Sequence, residues 1–94
     1  MSIKEIKQIE NKHGTAYFRM ALSHLFDVGH KHITPESVEE TKAAIMAKAA
    51  RKTGGGTPIM TPEFQCYLLD ISLELAHFSI WDLLAYVKKN IHIG

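Results

Sequence analysis

The 94-residue chain lacks most of the features that point directly to a function. It contains a single cysteine, Cys66, so it cannot form a disulfide within itself, and its first residues do not form an apolar signal segment. We therefore expect a protein of the cytoplasm. Cys66 lies inside an apolar stretch, where a free thiol is normally buried and inert.

The chain also lacks an excess of charge of either sign. Lys and Arg number 11 against 10 Asp and Glu, which leaves a formal net charge of +1. Such a balance does not provide the basic surface typical of proteins that bind nucleic acid or anionic membranes. The longest apolar stretch is interrupted by Asp70, Glu74, His77 and Asp82, and each ionised group at bilayer depth costs about 3 kcal/mol. The sequence therefore predicts no membrane span.

Residues 61–91 hold the densest run of large apolar side chains and predict the central helical segment. Thr61 can cap the helix with its hydroxyl, Pro62 suits the first helical position, and Glu63 complements the helix dipole. Five large apolar residues then recur at helical spacing and predict one core-facing stripe: Phe64, Leu68, Ile71, Leu75 and Phe78.

The helical phase of this segment changes at Ser79, where Ser79 to Asp82 has the pattern of a capping box. A second apolar stripe, rotated from the first, follows over Ile80 to Ile91. We expect a break or kink at Ser79 rather than one continuous helix of about thirty residues, because such a length exceeds most globular helices.

Three further helices are predicted, over residues 1–13, 15–28 and 35–52, with a Gly- and Pro-containing linker at 53–60. Gly29 should end the second helix, and Thr15 offers a cap for it, whereas a break at Gly14 stays open. The first helix is largely charged, so we expect it outside the core, and the alanine-rich third helix is expected at the periphery. The whole chain, 1–94, is thus predicted to be one all-α domain, a small bundle of four or five helices.

One group of side chains has loose metal-ligand spacing: His24, Asp27, His30 and His32. Histidines at a helix C-terminus are already accounted for by the helix dipole, so we interpret them as capping and solvent-facing residues and expect no bound metal. On the central segment, Asp70, Glu74 and His77 share one helix face. The same spacing is typical of a solvated face, and we expect neither catalysis nor a cofactor.

DNA binding is the alternative function that the sequence keeps open. It would use basic residues at two helix ends: Lys48, Arg51, Lys52, Lys88 and Lys89. Sequence-specific DNA binding normally uses a polar recognition helix after a short turn, and this chain shows no such pair of helices.

Binding of protein is the function that the sequence favours. The central segment has more apolar faces than its neighbours can cover, so part of it should reach the surface as a patch. The chain is then a non-enzymatic regulatory module, an adaptor or inhibitor that docks on a larger protein or self-associates into an oligomer. Leu69 lies off the main stripe, as do the five residues expected to bind the partner: Tyr67, Leu73, Trp81, Leu84 and Tyr86.

Overall fold

The computed structural model describes residues 2–51 and 61–90, which contain five α-helices, one 3-10 turn and no strand. The helices are α1 (Ser2–His13), α2 (Thr15–Val28), α3 (Pro35–Arg51), α4 (Pro62–Ala76) and α5 (Ile80–Asn90), with the 3-10 turn at His30–His32. The predicted all-α bundle is confirmed. The predicted linker at 53–60 and the expected helix ends at Lys52 and Ile91 lie outside the described residues.

Three helices begin where the sequence predicts, each with a side-chain cap. The hydroxyls of Thr61, Ser79 and Thr34 each accept a hydrogen bond from the backbone N–H three residues on, at 3.1 Å in all three cases. The hydroxyl oxygen of Ser37 in turn accepts a hydrogen bond from the backbone N–H of Thr34 at 3.0 Å. Each cap satisfies one of the N–H groups that a helix start leaves without a partner.

Two glycines with positive φ end helices. Gly29 has φ +104 and its N–H bonds to the carbonyl of Leu25, which closes α2 as predicted. Gly14 has φ +96, a backbone conformation that disfavours residues with a Cβ, and it separates α1 from α2. Gly14 itself occupies the cap position and Thr15 is the first helical residue, so the prediction that Thr15 caps α2 was wrong.

The central segment breaks at Ser79, as predicted. In the last turn of α4 the bonds tighten to three-residue steps, from His77 N–H to Glu74 O at 3.3 Å and from Phe78 N–H to Leu75 O at 3.1 Å. The ring of His30 donates from Nε2 to the carbonyl of Phe78. This bond gives the broken end of α4 a hydrogen-bond partner from the turn after α2.

α4 is the central helix, because it packs against α2, α3 and α1, while α5 packs against α1. Ile71 and Leu75 are fully buried as predicted, but Leu68 and Phe78 are only partly buried at the edge of the core. Leu69, which lies off the predicted main stripe, is buried as well, because α4 is enclosed on more than one side. The core draws on every helix: Ile6, Phe18, Ala21, Leu22, Leu25, Ile33, Val38, Leu69, Ile71, Leu75, Leu83 and Tyr86.

α1 belongs to this core, and the prediction that it contributes little was wrong. Ile6 is 0% exposed and Glu10 is buried beside it. α1 packs against α2, α5 and α4 with one narrow face, while its other residues carry the charge that misled the sequence interpretation. A narrow apolar face can still be fully buried when three neighbouring helices pack against it.

Among residues 2–51 and 61–90, none of the helices has both the length and the apolar character that crossing a bilayer requires.

Candidate functional site

Among the residues that the structure describes, the most exposed large apolar side chain is Trp81, on the outer face of α5. Trp81 is 76% exposed and Leu84 is 44% exposed. Ala85 and Lys88 are exposed as well, and these four residues follow the i, i+3, i+4, i+7 spacing of one helix face. We call Trp81, Leu84, Ala85 and Lys88 the outer stripe.

The opposite face of α5 is also apolar and faces the core. Leu83 and Tyr86 are both 0% exposed, and Ile80 and Val87 are half-buried against the same core. An amphipathic surface helix normally has only one apolar stripe. α5 therefore has a second face, with the apolar residues Trp81, Leu84 and Ala85, that the described part of the chain leaves exposed to a large extent.

Tyr86 was expected at a partner surface, and that prediction was wrong. Its hydroxyl donates to Oε1 of Glu10 on α1, so the side chain is enclosed between α5 and α1. The ring also contacts Phe18 edge-on, with centroids 5.5 Å apart. A buried tyrosine needs a hydrogen-bond partner for its hydroxyl, and the carboxylate of Glu10 supplies it.

The Glu10–Tyr86 pair perturbs both groups. Burial on its own raises the pKa of Glu10, but hydrogen bonds from Tyr86 and Thr15 and the charge of Lys7 outweigh it and hold this pKa below the usual 4.5. Burial and the hydrogen bond to Glu10 raise the pKa of Tyr86 well above the usual 10.0. The pair is therefore a carboxylate bonded to a neutral phenol over a wide range of pH.

A second interhelical network is centred on His13, the last residue of α1. Its Nε2 lies 2.8 Å from Oε2 of Glu74, and its Nδ1 lies 2.6 Å from the hydroxyl of Tyr67. Lys12 adds a looser contact, with its Nζ 3.8 Å from Oε1 of Glu74. In the tautomer protonated at Nε2, His13 donates to Glu74 and accepts from Tyr67.

The order carboxylate, imidazole, hydroxyl resembles the arrangement that activates a nucleophile. An open groove between α1 and α4 adjoins it, with Glu74 and Lys12 in its wall. The His13 side chain, however, is only 9% exposed, and both of its ring nitrogens are bonded to side chains of α4. These two hydrogen bonds connect the end of α1 to α4.

Tyr67 lies at the edge of an aromatic cluster and is 37% exposed, so its predicted surface position is confirmed. Tyr17 contacts both Phe64 and Tyr67 edge-on, at centroid separations of 5.1 and 6.1 Å. Leu73, also expected to bind a partner, is half-buried against the core. Of the five predicted contact residues, Trp81, Leu84 and Tyr67 are exposed, and only Trp81 and Leu84 share a helix face.

The three polar residues of α4 considered for acid–base chemistry bind different neighbours. Asp70 accepts from Nζ of Lys42 on α3 at 2.7 Å, and this hydrogen bond raises the pKa of Lys42. Glu74 is directed toward α1, and His77 is exposed at the end of α4. On this face of α4, Asp70 therefore binds α3 and Glu74 binds α1.

The residues with loose metal-ligand spacing have separate environments. His30 bonds to the carbonyl of Phe78, His24 is half-buried, and Asp27 and His32 are exposed. Within residues 2–51 and 61–90, no three His, Cys, Asp or Glu side chains come together as they would around a metal ion. Cys66 is a free thiol that is half-buried, so it is more accessible than predicted.

The basic residues of the DNA-binding alternative lie on helices with different packing partners. Lys48 and Arg51 are exposed near the end of α3, which packs on α4. Lys88 and Lys89 are exposed near the end of α5, which packs on α1. Lys52 lies outside the described residues.

Sequence reasoning missed Glu10 and His13, the two polar residues that attach α1 to the core. A signal was present, because Ile3, Ile6, Glu10 and His13 follow one another at steps of three, four and three. Glu10 and His13 thus lie on the same helix face as the apolar edge of α1. Their burial depends on hydrogen-bond partners on α5 and α4.

Comparison of the chain with protein-family models, with curated proteins and with solved structures finds no match. In the part of the chain that the structure describes, the outer stripe of α5 carries the most exposed large apolar side chain, Trp81.

Proposed function

We propose that this chain is a small non-enzymatic protein-binding module that docks through the outer stripe of α5. The observation that carries the proposal is the 76% exposure of Trp81 beside Leu84 on one helix face. A regulator of this kind, an adaptor or an inhibitor, acts by covering part of another protein surface. The proposal places it in the cytoplasm, where a lone thiol such as Cys66 stays reduced.

The physical support is the free energy available from the indole. Tryptophan is among the residues most enriched at the energetic centre of protein interfaces, where its burial removes a large apolar area from water. The spacing of the outer stripe is also the pattern by which a helix inserts its anchors into a partner groove. Lys88 and Lys89 give its end the polar rim typical of binding surfaces.

Docking is favoured over catalysis because of how the polar residues are used. Glu10 and His13 are engaged between helices, where their bonds stabilise the fold. The outer stripe, in contrast, contributes nothing to the described core. An exposed apolar stripe that the fold does not need is the kind of surface that binding a partner would explain.

The test is affinity capture from native cell extract with three baits: the wild-type chain, Trp81→Ala and Met46→Ala. Met46 is the matched control, because it is a large apolar residue that is 46% exposed on a different helix, α3. We expect Trp81→Ala to weaken binding by about 2 kcal/mol or more, roughly thirtyfold in affinity, with Met46→Ala close to wild type. Circular dichroism should show the same helix content for all three baits.

Retention of every partner by Trp81→Ala would refute the proposal. A second capture, from nuclease-treated extract, distinguishes protein binding from the alternative function, DNA binding. If nuclease abolishes capture, and Lys48→Ala and Arg51→Ala on α3 weaken it more than Trp81→Ala does, the DNA-binding interpretation replaces this one.

A further inference from the structure

We propose that the outer stripe is occupied by a second copy of this chain, with the two α5 helices antiparallel about a twofold axis that passes between residues 84 and 85. The inference rests on the proposed function of the outer stripe as a protein-binding surface and names its occupant. A twofold interface requires a surface that is complementary to itself, and the outer stripe has this property.

The symmetry of the stripe is visible in its residue order. Trp81 and Lys88 lie at its two ends, at equal distances from the midpoint between Leu84 and Ala85. Reversing one helix places Trp81 of each copy opposite Lys88 of the other. Leu84 and Ala85 each meet their own counterpart at the axis, and the small side chain of Ala85 lets the two helices approach closely.

The pairing of Trp81 with Lys88 of the second copy favours an antiparallel arrangement of the two helices over a parallel one. An ammonium group above an indole face is attracted by the ring, and the aliphatic part of a lysine packs on aromatic surface. Asp82, half-buried next to Trp81, brings a carboxylate to the same end. A parallel pair would instead place Lys88 against Lys88, where like charges repel.

The size of the surface sets the expected strength of the contact. α5 has 11 residues and is therefore about 16 Å long. A contact made by one helix of this length belongs to the small interfaces that bury less than about 1,200 Å² and are characteristic of weak association. We expect a dimer that forms at micromolar concentrations and dissociates on dilution.

The first measurement is sedimentation equilibrium of the full chain over a wide range of concentration, together with its tryptophan fluorescence. Trp81 is the only tryptophan, so its emission reports on this surface alone. The average mass should rise from monomer to dimer as concentration increases, and the emission should shift to shorter wavelength over the same range. A mass that stays monomeric across the range, with unchanged emission, overturns the inference.

Point variants test which residues form the contact. Each substitution removes its side chain from both copies, so Trp81→Ala should raise the dimer dissociation constant at least thirtyfold and Lys88→Glu at least tenfold. Met46→Ala and Lys48→Glu are the matched controls on the exposed side of α3 and should leave it unchanged. Equal effects of Lys88→Glu and Lys48→Glu would show that net charge, and not the proposed pairing, governs association.

Engineered cysteines test the direction of the helices in a Cys66→Ala background. In the proposed dimer the two copies of residue 85 are about 1.5 Å apart along the helix axis, so Ala85→Cys should form an intermolecular disulfide under mild oxidation. The two copies of residue 88 are about 10 Å apart along the axis, beyond the reach of a disulfide, so Lys88→Cys should stay monomeric on a non-reducing gel. Linking by Lys88→Cys would indicate a parallel pair, because that arrangement brings the two copies of residue 88 together, and linking by neither variant would refute the proposed contact.

The two proposals fail separately. If the chain is monomeric at every concentration but Trp81→Ala still loses a captured protein, the second copy is excluded and the protein-binding function stands. If a dimer forms and Trp81→Ala does not weaken it, the outer stripe is excluded from dimer formation.

Discussion

The buried Glu10–Tyr86 pair gives the sharpest test of how the fold is held together. Tyr86→Phe removes one hydroxyl and leaves the ring, so it creates almost no cavity and removes the donor of the hydrogen bond to Glu10. Hydrogen bonds to charged groups contribute about 1.5–3 kcal/mol, and a buried carboxylate that loses a donor bears the cost of its own desolvation.

The expected magnitude lies in the lower half of that range. Glu10 keeps a hydrogen bond from Thr15 and the nearby charge of Lys7, whose Nζ is 3.5 Å from Oε1. We therefore expect Tyr86→Phe to lower the free energy of unfolding by about 1.5–2 kcal/mol. In a domain of 60–100 residues each 1 kcal/mol corresponds to about 4–8 °C in Tm, so the loss should be obvious in a melt.

The assay is urea denaturation followed by circular dichroism, with Tyr17→Phe as the control. Tyr17 is 43% exposed, so loss of its hydroxyl should change stability by less than about 0.5 kcal/mol. Glu10→Gln and the double variant complete a cycle, in which the coupling energy should be at least about 0.5 kcal/mol. If Tyr86→Phe unfolds at the same denaturant concentration as Tyr17→Phe, the buried pair is not a source of stability and the reasoning is wrong.

Three further predictions concern stability. The folded pKa of Glu10 is below 4.5, so the stabilisation from its carboxylate is present above pH 4.5 and is lost as pH falls through the folded pKa. The folded pKa of Tyr86 is above 10.0, so the stabilisation from its neutral phenol is present below pH 10.0 and declines as pH rises toward the folded pKa. Melting temperature against pH should therefore fall at both extremes, and Tyr86→Phe should abolish the alkaline fall caused by this phenol. His13→Ala should lower the free energy of unfolding by about 1–3 kcal/mol, since it leaves two polar side chains of α4 without this partner, and a denaturation midpoint equal to wild type would contradict the interhelical link. Leu75→Ala should cost about 2–5 kcal/mol and Val38→Ala clearly less, so equal midpoints for these two variants would contradict the central position of α4.

The helix boundaries were predictable because their causes are local. A hydroxyl at Thr61 or Ser79 bonds to a backbone N–H three residues away, and a glycine such as Gly29 adopts its conformation with no help from distant residues. The apolar stripe through Ile71 and Leu75 was likewise predictable, because the period of the helix puts these residues on one face.

The surface of α5 was only half predictable. Leu83 lies at the middle of the inward stripe, with Leu84 and Tyr86 on either side of it around the helix, and the sequence assigned both flanking residues to the surface. The structure buries Tyr86 and exposes Leu84, because α1 approaches from the side on which Glu10 can accept the tyrosine hydroxyl. A choice between two flanks depends on the position of a neighbouring helix, which periodicity does not contain.

The sequence by itself determined the elements: an all-α chain, most of its helix ends, and the division of the C-terminal segment at Ser79. Those features follow from hydrogen bonds and conformations within a few residues of one another. Only the tertiary structure decided which polar residues lie inside and which apolar residues lie outside, because burial of Glu10 and His13 needs partners from α5 and α4, and exposure of Trp81 needs the core to be completed without it. Such outcomes depend on contacts between residues as much as 76 positions apart, and these are set by how the helices pack.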